Sequence, residues 1–151
     1  MIMKRAEARE LAVRLCFMLS ENPMDADELL SGFFDDEHYE SLGKEDELFL
    51  QRPGKQIEYI STVIRGIALH NAELDDYIAV YSKGWDFSRI SRTALAIMKL
   101  AMYEILYIPD IPERVSINEA VELAKKYDEP ETVPFINGIL GSFLKGEAIQ
   151  E

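Results

Sequence analysis

Two histidines, His38 and His70, and a single cysteine, Cys16, are the residue types best suited to metal binding or nucleophilic catalysis. Their spacing does not assemble them. Neither histidine has a cysteine, a second histidine or a carboxylate at a typical metal-ligand interval, apart from the dense acidic residues around His38. Cys16 stands between Leu15 and Phe17 without a histidine base and reads as a small core residue. The carboxylate pairs Asp35/Asp36, Glu45/Asp46 and Asp75/Asp76 read as solvated surface. Gly66, Gly84, Gly138 and Gly141 match no phosphate-cradling loop, and Gly138 is expected to permit close helix packing. No catalytic constellation forms from these residues, so no enzyme, cofactor or metal is expected.

What remains is charge, and it is unevenly placed. The 151 residues carry 16 Lys and Arg against 28 Asp and Glu, a formal net charge of -12. Met1–Ser20 nevertheless holds Lys4, Arg5, Arg9 and Arg14 against only Glu7 and Glu10. Glu21–Leu50 holds eleven carboxylates against Lys44 alone, which accounts for most of the acidity. At physiological ionic strength, charges more than about 8 Å apart are largely screened. An acidic total therefore permits a local basic patch.

The length suits one domain over 1–151, and 48% hydrophobic residues suffice for a core. No apolar run approaches the ~20 residues that span a bilayer, and MIMKRAEARE is not followed by a signal-peptide core. A lone cysteine excludes an internal disulfide and fits a reducing cytoplasm.

The periodicity is helical throughout. Lys4 to Ser20 places Ala8, Leu11, Ala12, Leu15, Met18 and Leu19 on one side of a helix. Asp25 is placed to cap a short helix through Phe34, and Asp35 to Asp46, with few apolar anchors, reads as a mobile loop. After Pro53-Gly54, a helix from Lys55 to about Asn71 turns Ile57, Ile60, Ile64, Ile67 and Ala68 inward, and helical pattern resumes over Ala72–Tyr81. Ser82-Lys83-Gly84 stops it. Trp85 and Phe87 precede a helix from about Arg89 to Tyr107 that is apolar almost all round, as at the centre of a bundle. Pro109 and Pro112 bracket a turn. Ser116-Ile117-Asn118-Glu119 has the pattern of a capping box opening a helix, with Asn118 bonding local backbone and Ile117, Ala120, Val121 and Ala124 facing inward. The last helix starts near Glu131 or Thr132 and buries Ile136, Ile139, Leu140 and Phe143. No segment reads as a strand.

Two blocks carry a resemblance. One is KRAEARELAVRLCFML; the other runs from Ile90, ISRTALAIMKLAMYEILYIPDIPERVSINEAVELAKKYDEPETVPFINGILGSFL. Together they resemble the NusB family of bacterial transcription antitermination factors. IPERVSINEAVELAKKY followed by FINGIL is the strongest signature, and the likeness is weakest over Met24–Arg52. The resemblance implies an all-α fold of about seven helices in two packed small bundles, with an acidic variable segment at about 21–52. It implies a cytoplasmic, non-catalytic protein without a cofactor. Its partners would be boxA-like single-stranded RNA, the small-subunit ribosomal protein NusE, and the RNA polymerase antitermination complex, notably on ribosomal RNA operons. Some members form homodimers that hide the RNA surface.

Carried onto this chain, the resemblance implies an RNA surface of Lys4, Arg5, Arg9 and Phe17 in the first helix. Before and into the last helix it adds Glu131, Thr132, Phe135 and Asn137, with Lys125 and Lys126 nearby. Cations would neutralise phosphates and phenylalanines would stack on unpaired bases. Two departures stand out. The consecutive arginines that often precede REL in the family are interrupted here by Ala6, Glu7 and Ala8. Ala94 and Leu95 occupy positions where many members carry an acidic-basic pair facing NusE, with Arg89 and Arg92 close by. The interrupted arginine run favours an alternative, a NusB-like interaction module with weak or no specific RNA binding, and the second departure suggests an apolar contact or a shifted partner surface. A third reading, the N-terminal domain of a ribosomal RNA methyltransferase, is not expected, because no methyltransferase domain follows within these residues. The acidic segment could also fold over Lys4, Arg5 and Arg9 and compete with RNA.

Overall fold

Lys4 opens the first helix, α1 (Arg5–Glu21), and its backbone N–H donates to the Glu7 carboxylate at 2.8 Å. In this computed structural model, which describes residues 2–84 and 86–147, Ala8, Leu11, Ala12, Leu15 and Cys16 form the buried stripe of α1. Met18 and Leu19 do not complete it: Met18 is exposed and Leu19 half-buried. Helix α2 (Ala26–Phe33) follows the Asp25 cap, whose carboxylate accepts the Glu28 N–H at 3.2 Å.

The expected loop at Asp35–Asp46 contains a helix instead, α3 (Asp36–Leu42), capped by Asp35 accepting the His38 N–H at 3.2 Å. Its anchor is aromatic. The Tyr39 ring stacks on Phe34 and meets Phe33 and Phe49 edge-on, with centroids 5.7–6.1 Å apart, and its hydroxyl donates to the Gln51 carbonyl at 2.9 Å. These rings are scattered in sequence and converge only in space, so a helical period could not show them. A 3₁₀ turn, Glu47–Leu50, carries Leu48 and Phe49 into position.

Gly54 adopts φ +54°, a turn suited to glycine, and leads into α4 (Gln56–Leu69). Tyr59, Ile60, Val63, Ile64 and Ile67 are its buried face. Ile57 and Ala68, expected inside, are exposed, because Tyr59 and Val63 share the packed side and rotate the stripe away from them.

Helix α5 (Asn71–Tyr81) buries Leu74 and Ile78 and ends before Gly84, whose φ of +88° turns the chain. Trp85 lies outside the described residues. A 3₁₀ turn, Phe87–Arg89, precedes α6 (Arg92–Tyr107), which starts later than expected because Ser91 caps it, accepting the Ala94 N–H at 3.0 Å. Helix α6 is buried along most of its length and packs on α5, α7 (Glu113–Tyr127) and α8 (Thr132–Gly146). Its polar residues are buried too. Lys99 Nζ donates to Asn71 Oδ1 at 2.8 Å and pairs with Asp75 at 2.9 Å, while Glu104 accepts the Ser116 hydroxyl at 2.7 Å.

That last bond corrects the start of α7. The helix begins one turn before the Ser-x-x-Glu pattern, after Pro112, and Ser116 lies inside it with its hydroxyl on Glu104. Asn118 is consequently an exposed mid-helix residue and makes no side-chain hydrogen bond among the described residues. Ala120 and Ala124 are buried as expected, joined by Leu123, while Ile117 and Val121 are half-buried. Helix α8 buries Ile136, Ile139, Leu140 and Phe143, with the Phe143 ring edge-on to Tyr77 and Tyr81.

The chain divides into two compact units, Met1–Ala68 and Leu69–Glu151. Among the described residues there are eight α-helices, one more than expected, and no strand beyond a single bridge at Ile2 and Arg52. No helix is long and apolar enough to cross a membrane.

Candidate nucleic-acid interface

In the first unit, α1 presents two accessible cations at its start. Lys4 is exposed. Arg5 is exposed and fixed: its Nε donates to Gln56 Oε1 at 2.8 Å, and its guanidinium lies 4.2 Å from the centroid of the Tyr59 ring. A guanidinium set over an aromatic ring and tethered through Nε keeps its two Nη groups for an outside acceptor. Gln56 and Tyr59 were not legible as site residues, because only the α1–α4 contact gives them this role.

Arg9 departs from the expectation of an open phosphate contact. It is 6% exposed, with its guanidinium 5.9 Å from the Tyr59 centroid, and it lies on the side of α1 that carries Ala8 and Ala12 inward. Phe17 is half-buried. Among the described residues no carboxylate of the acidic segment pairs with Lys4 or Arg5. Its carboxylates engage other arginines: Asp46 meets Arg14 at 2.6 Å and Asp27 meets Arg65 at 2.5 Å.

In the second unit, the residues at the start of α8 line an open groove of about 370 Å³. Glu131, Pro134, Phe135, Gly138, Ile139 and Ser142 form one wall, with Tyr81 and Lys83 opposite. Gly138 therefore faces the groove, and a Cβ there would meet nothing within 4 Å, so it does not serve close helix packing. The Tyr81 hydroxyl donates to the Glu147 carboxylate, which holds its pKa above the ordinary tyrosine value. Phe135 and Thr132 are half-buried, whereas Glu131 and Asn137 are exposed. Tyr81 and Lys83 were missed in the sequence because they belong to a helix end some fifty residues away. Lys125 and Lys126 are exposed in the last turn of α7. Lys125 pairs with Glu122 at 3.0 Å, and Lys126 sits 5.4 Å from the Tyr127 ring centroid.

The residues expected to face a protein partner are mixed. Arg89 is exposed, 3.9 Å from Asp86, and Arg92 is exposed at the first position of α6. Leu95 is half-buried. Ala94 is 1% exposed, since the Ser91 cap turns this position into the core, and it presents no side chain to a partner.

The comparisons with known proteins agree with this architecture. The family model described as the NusB family matches residues 6–145. A protein of Clostridium kluyveri named transcription antitermination protein NusB is 37% identical, with 99% of this chain and all of that protein covered. A namesake from Clostridium botulinum is 38% identical over 94% of this chain and all of its own length. A solved structure of T. maritima NusB superposes with a TM-score of 0.70 at 29% identity, covering 96% of this chain and 93% of that one. On this evidence the chain belongs to the NusB family.

Proposed function

We propose that this protein is a transcription antitermination factor of the cytoplasm that binds boxA-like single-stranded RNA together with NusE, within the RNA polymerase antitermination complex. The family is one of non-enzymatic transcription factors, and the relatives' printed names support the antitermination role. The observation that carries the RNA reading is Arg5, held on Tyr59 and Gln56 with its Nη groups turned to no partner among the described residues. Phe135, on the α8 groove, is the aromatic candidate for stacking on a base. A second reading, an interaction module with weak RNA binding, is favoured by the interrupted basic run before REL and by the burial of Arg9.

The test is RNA affinity for a boxA-containing oligonucleotide and a scrambled control, each at two salt concentrations, with and without NusE. Selective binding that is strengthened by NusE and lost in a Lys4→Ala, Arg5→Ala variant is expected. A NusE complex with no RNA selectivity would replace the proposal by the second reading.

A further inference from the structure

The basic run of α1 is interrupted in sequence, but the corner of the unit that holds it is not short of cations. The N-terminal residues are clamped to the segment before α4 at two points. Met3 N–H donates to the Arg52 carbonyl at 2.9 Å, within a parallel bridge between Ile2 and Arg52. Two residues on, the Arg5 guanidinium donates to the Gln56 side chain. The Gly54 turn lies between the two clamps on the second segment. Arg52 and Lys55 are thereby brought beside Lys4 and Arg5, and all four are exposed.

Their pairing is unusual for so acidic a unit. Arg14 and Arg65, elsewhere in the unit, are matched to Asp46 and Asp27. Lys4, Arg5, Arg52 and Lys55 have no ion pair among the described residues, although eleven carboxylates lie in the intervening Glu21–Leu50. The carboxylates nearest in sequence are Glu7, which accepts the Lys4 N–H, and the exposed Glu58. The same corner exposes Ile2, Leu50 and Ile57. Exposed cations without carboxylate partners suit the phosphates of a single strand.

We infer that Arg52 and Lys55 continue the phosphate-binding surface begun by Lys4 and Arg5, for single-stranded RNA. The inference rests on the RNA-binding reading above and adds two residues from a different segment to it. Three-dimensional clamping restores the cations that the interrupted arginine run lacks.

The experiment measures affinity for the boxA oligonucleotide, with NusE present, across a salt series. Wild type is compared with Arg52→Gln/Lys55→Gln and with the charge-keeping Arg52→Lys/Lys55→Arg. The bridge uses the Arg52 backbone, so these side-chain changes leave it in place; an unaltered unfolding midpoint verifies the fold. Each phosphate contact to a single strand contributes about 0.7 to the slope of log affinity against log salt. The neutral pair is expected to lower that slope by roughly 1.4 and weaken binding about tenfold near 0.15 M salt, while the charge-keeping pair retains the wild-type slope. An unchanged slope in the neutral pair, with boxA-selective wild type, overturns the inference and leaves the proposed function standing. Loss of NusE capture with the slope intact also overturns it, assigning the corner to the protein partner. Wild type that binds no RNA even with NusE overturns both.

Discussion

In Met1–Ala68 the contacts of Arg5 with Gln56 and Tyr59, and of Arg65 with Asp27, lie at the surface, while Arg9 and Glu10 are buried on α1. In Leu69–Glu151 Glu104 meets Ser116 wholly inside, and the buried Lys99 reaches outward to Asn71 and Asp75. The difference has energetic consequences. An exposed pair contributes about 0–1 kcal/mol and tolerates exchange. A buried charge that loses its partner is costly, so each such contact constrains which residue faces which. The wholly buried Glu104–Ser116 contact of the second unit and the exposed Arg65–Asp27 pair of the first stand at the two ends of that range.

The sharpest way to break that contrast is at the apolar centre of the second unit. Phe143 is fully buried against Tyr77 and Tyr81, and Phe143→Ala is expected to cost about 3–5 kcal/mol in denaturant unfolding. A loss under about 1 kcal/mol would mean that α8 repacks and that its interior is not what specifies the unit.

A smaller effect is expected from the buried polar contact. Ser116→Ala removes a donor from the Glu104 carboxylate and should cost about 1–3 kcal/mol. The matching change in the first unit, Arg65→Ala, removes a pair whose side chains are 58% and 66% exposed, and should cost less in the same assay. Equal costs would erase the distinction between the units.

The smallest effect separates the two units by pH. Burial, followed by the field of Glu7, pushes Tyr39 up to about 12, while in the unfolded chain it titrates near 10. Below pH 10 both states keep the proton, so this contribution to stability is fully present. Between pH 10 and about 12 the unfolded chain ionises first, and the contribution is lost as pH rises. Tyr107 in the second unit is also raised to about 12, but chiefly by its hydrogen bond to Glu73. Unfolding measured from pH 9 to 11 should fall less steeply for Tyr39→Phe than for wild type. Glu73→Gln should flatten it through Tyr107 and, more weakly, through Tyr77, leaving the Tyr39 component intact.

Much of the fold was legible in the residues themselves. The buried stripes of α1, α6 and α8 follow from apolar spacing at the helical period, and Asp25 marks the start of α2 by an N-cap whose chemistry is local. Helix α3 and the start of α7 were not legible for the same physical reason. Tyr39 is an anchor only because Phe33, Phe34 and Phe49 gather around it, and Ser116 is no cap because Glu104 on another helix takes its hydroxyl.

The site divides along the same line. Sequence by itself determined the family, the helical class and the presence of cations at the chain start, since these depend on residue identity and short-range spacing. Only tertiary structure decided which cations are accessible. It buried Arg9, set Arg5 over the Tyr59 ring, turned Ala94 into the core, and brought the segment of Arg52 and Lys55 against the chain start. Side-chain accessibility and the pairing of segments some fifty residues apart are set by packing, which no local pattern encodes.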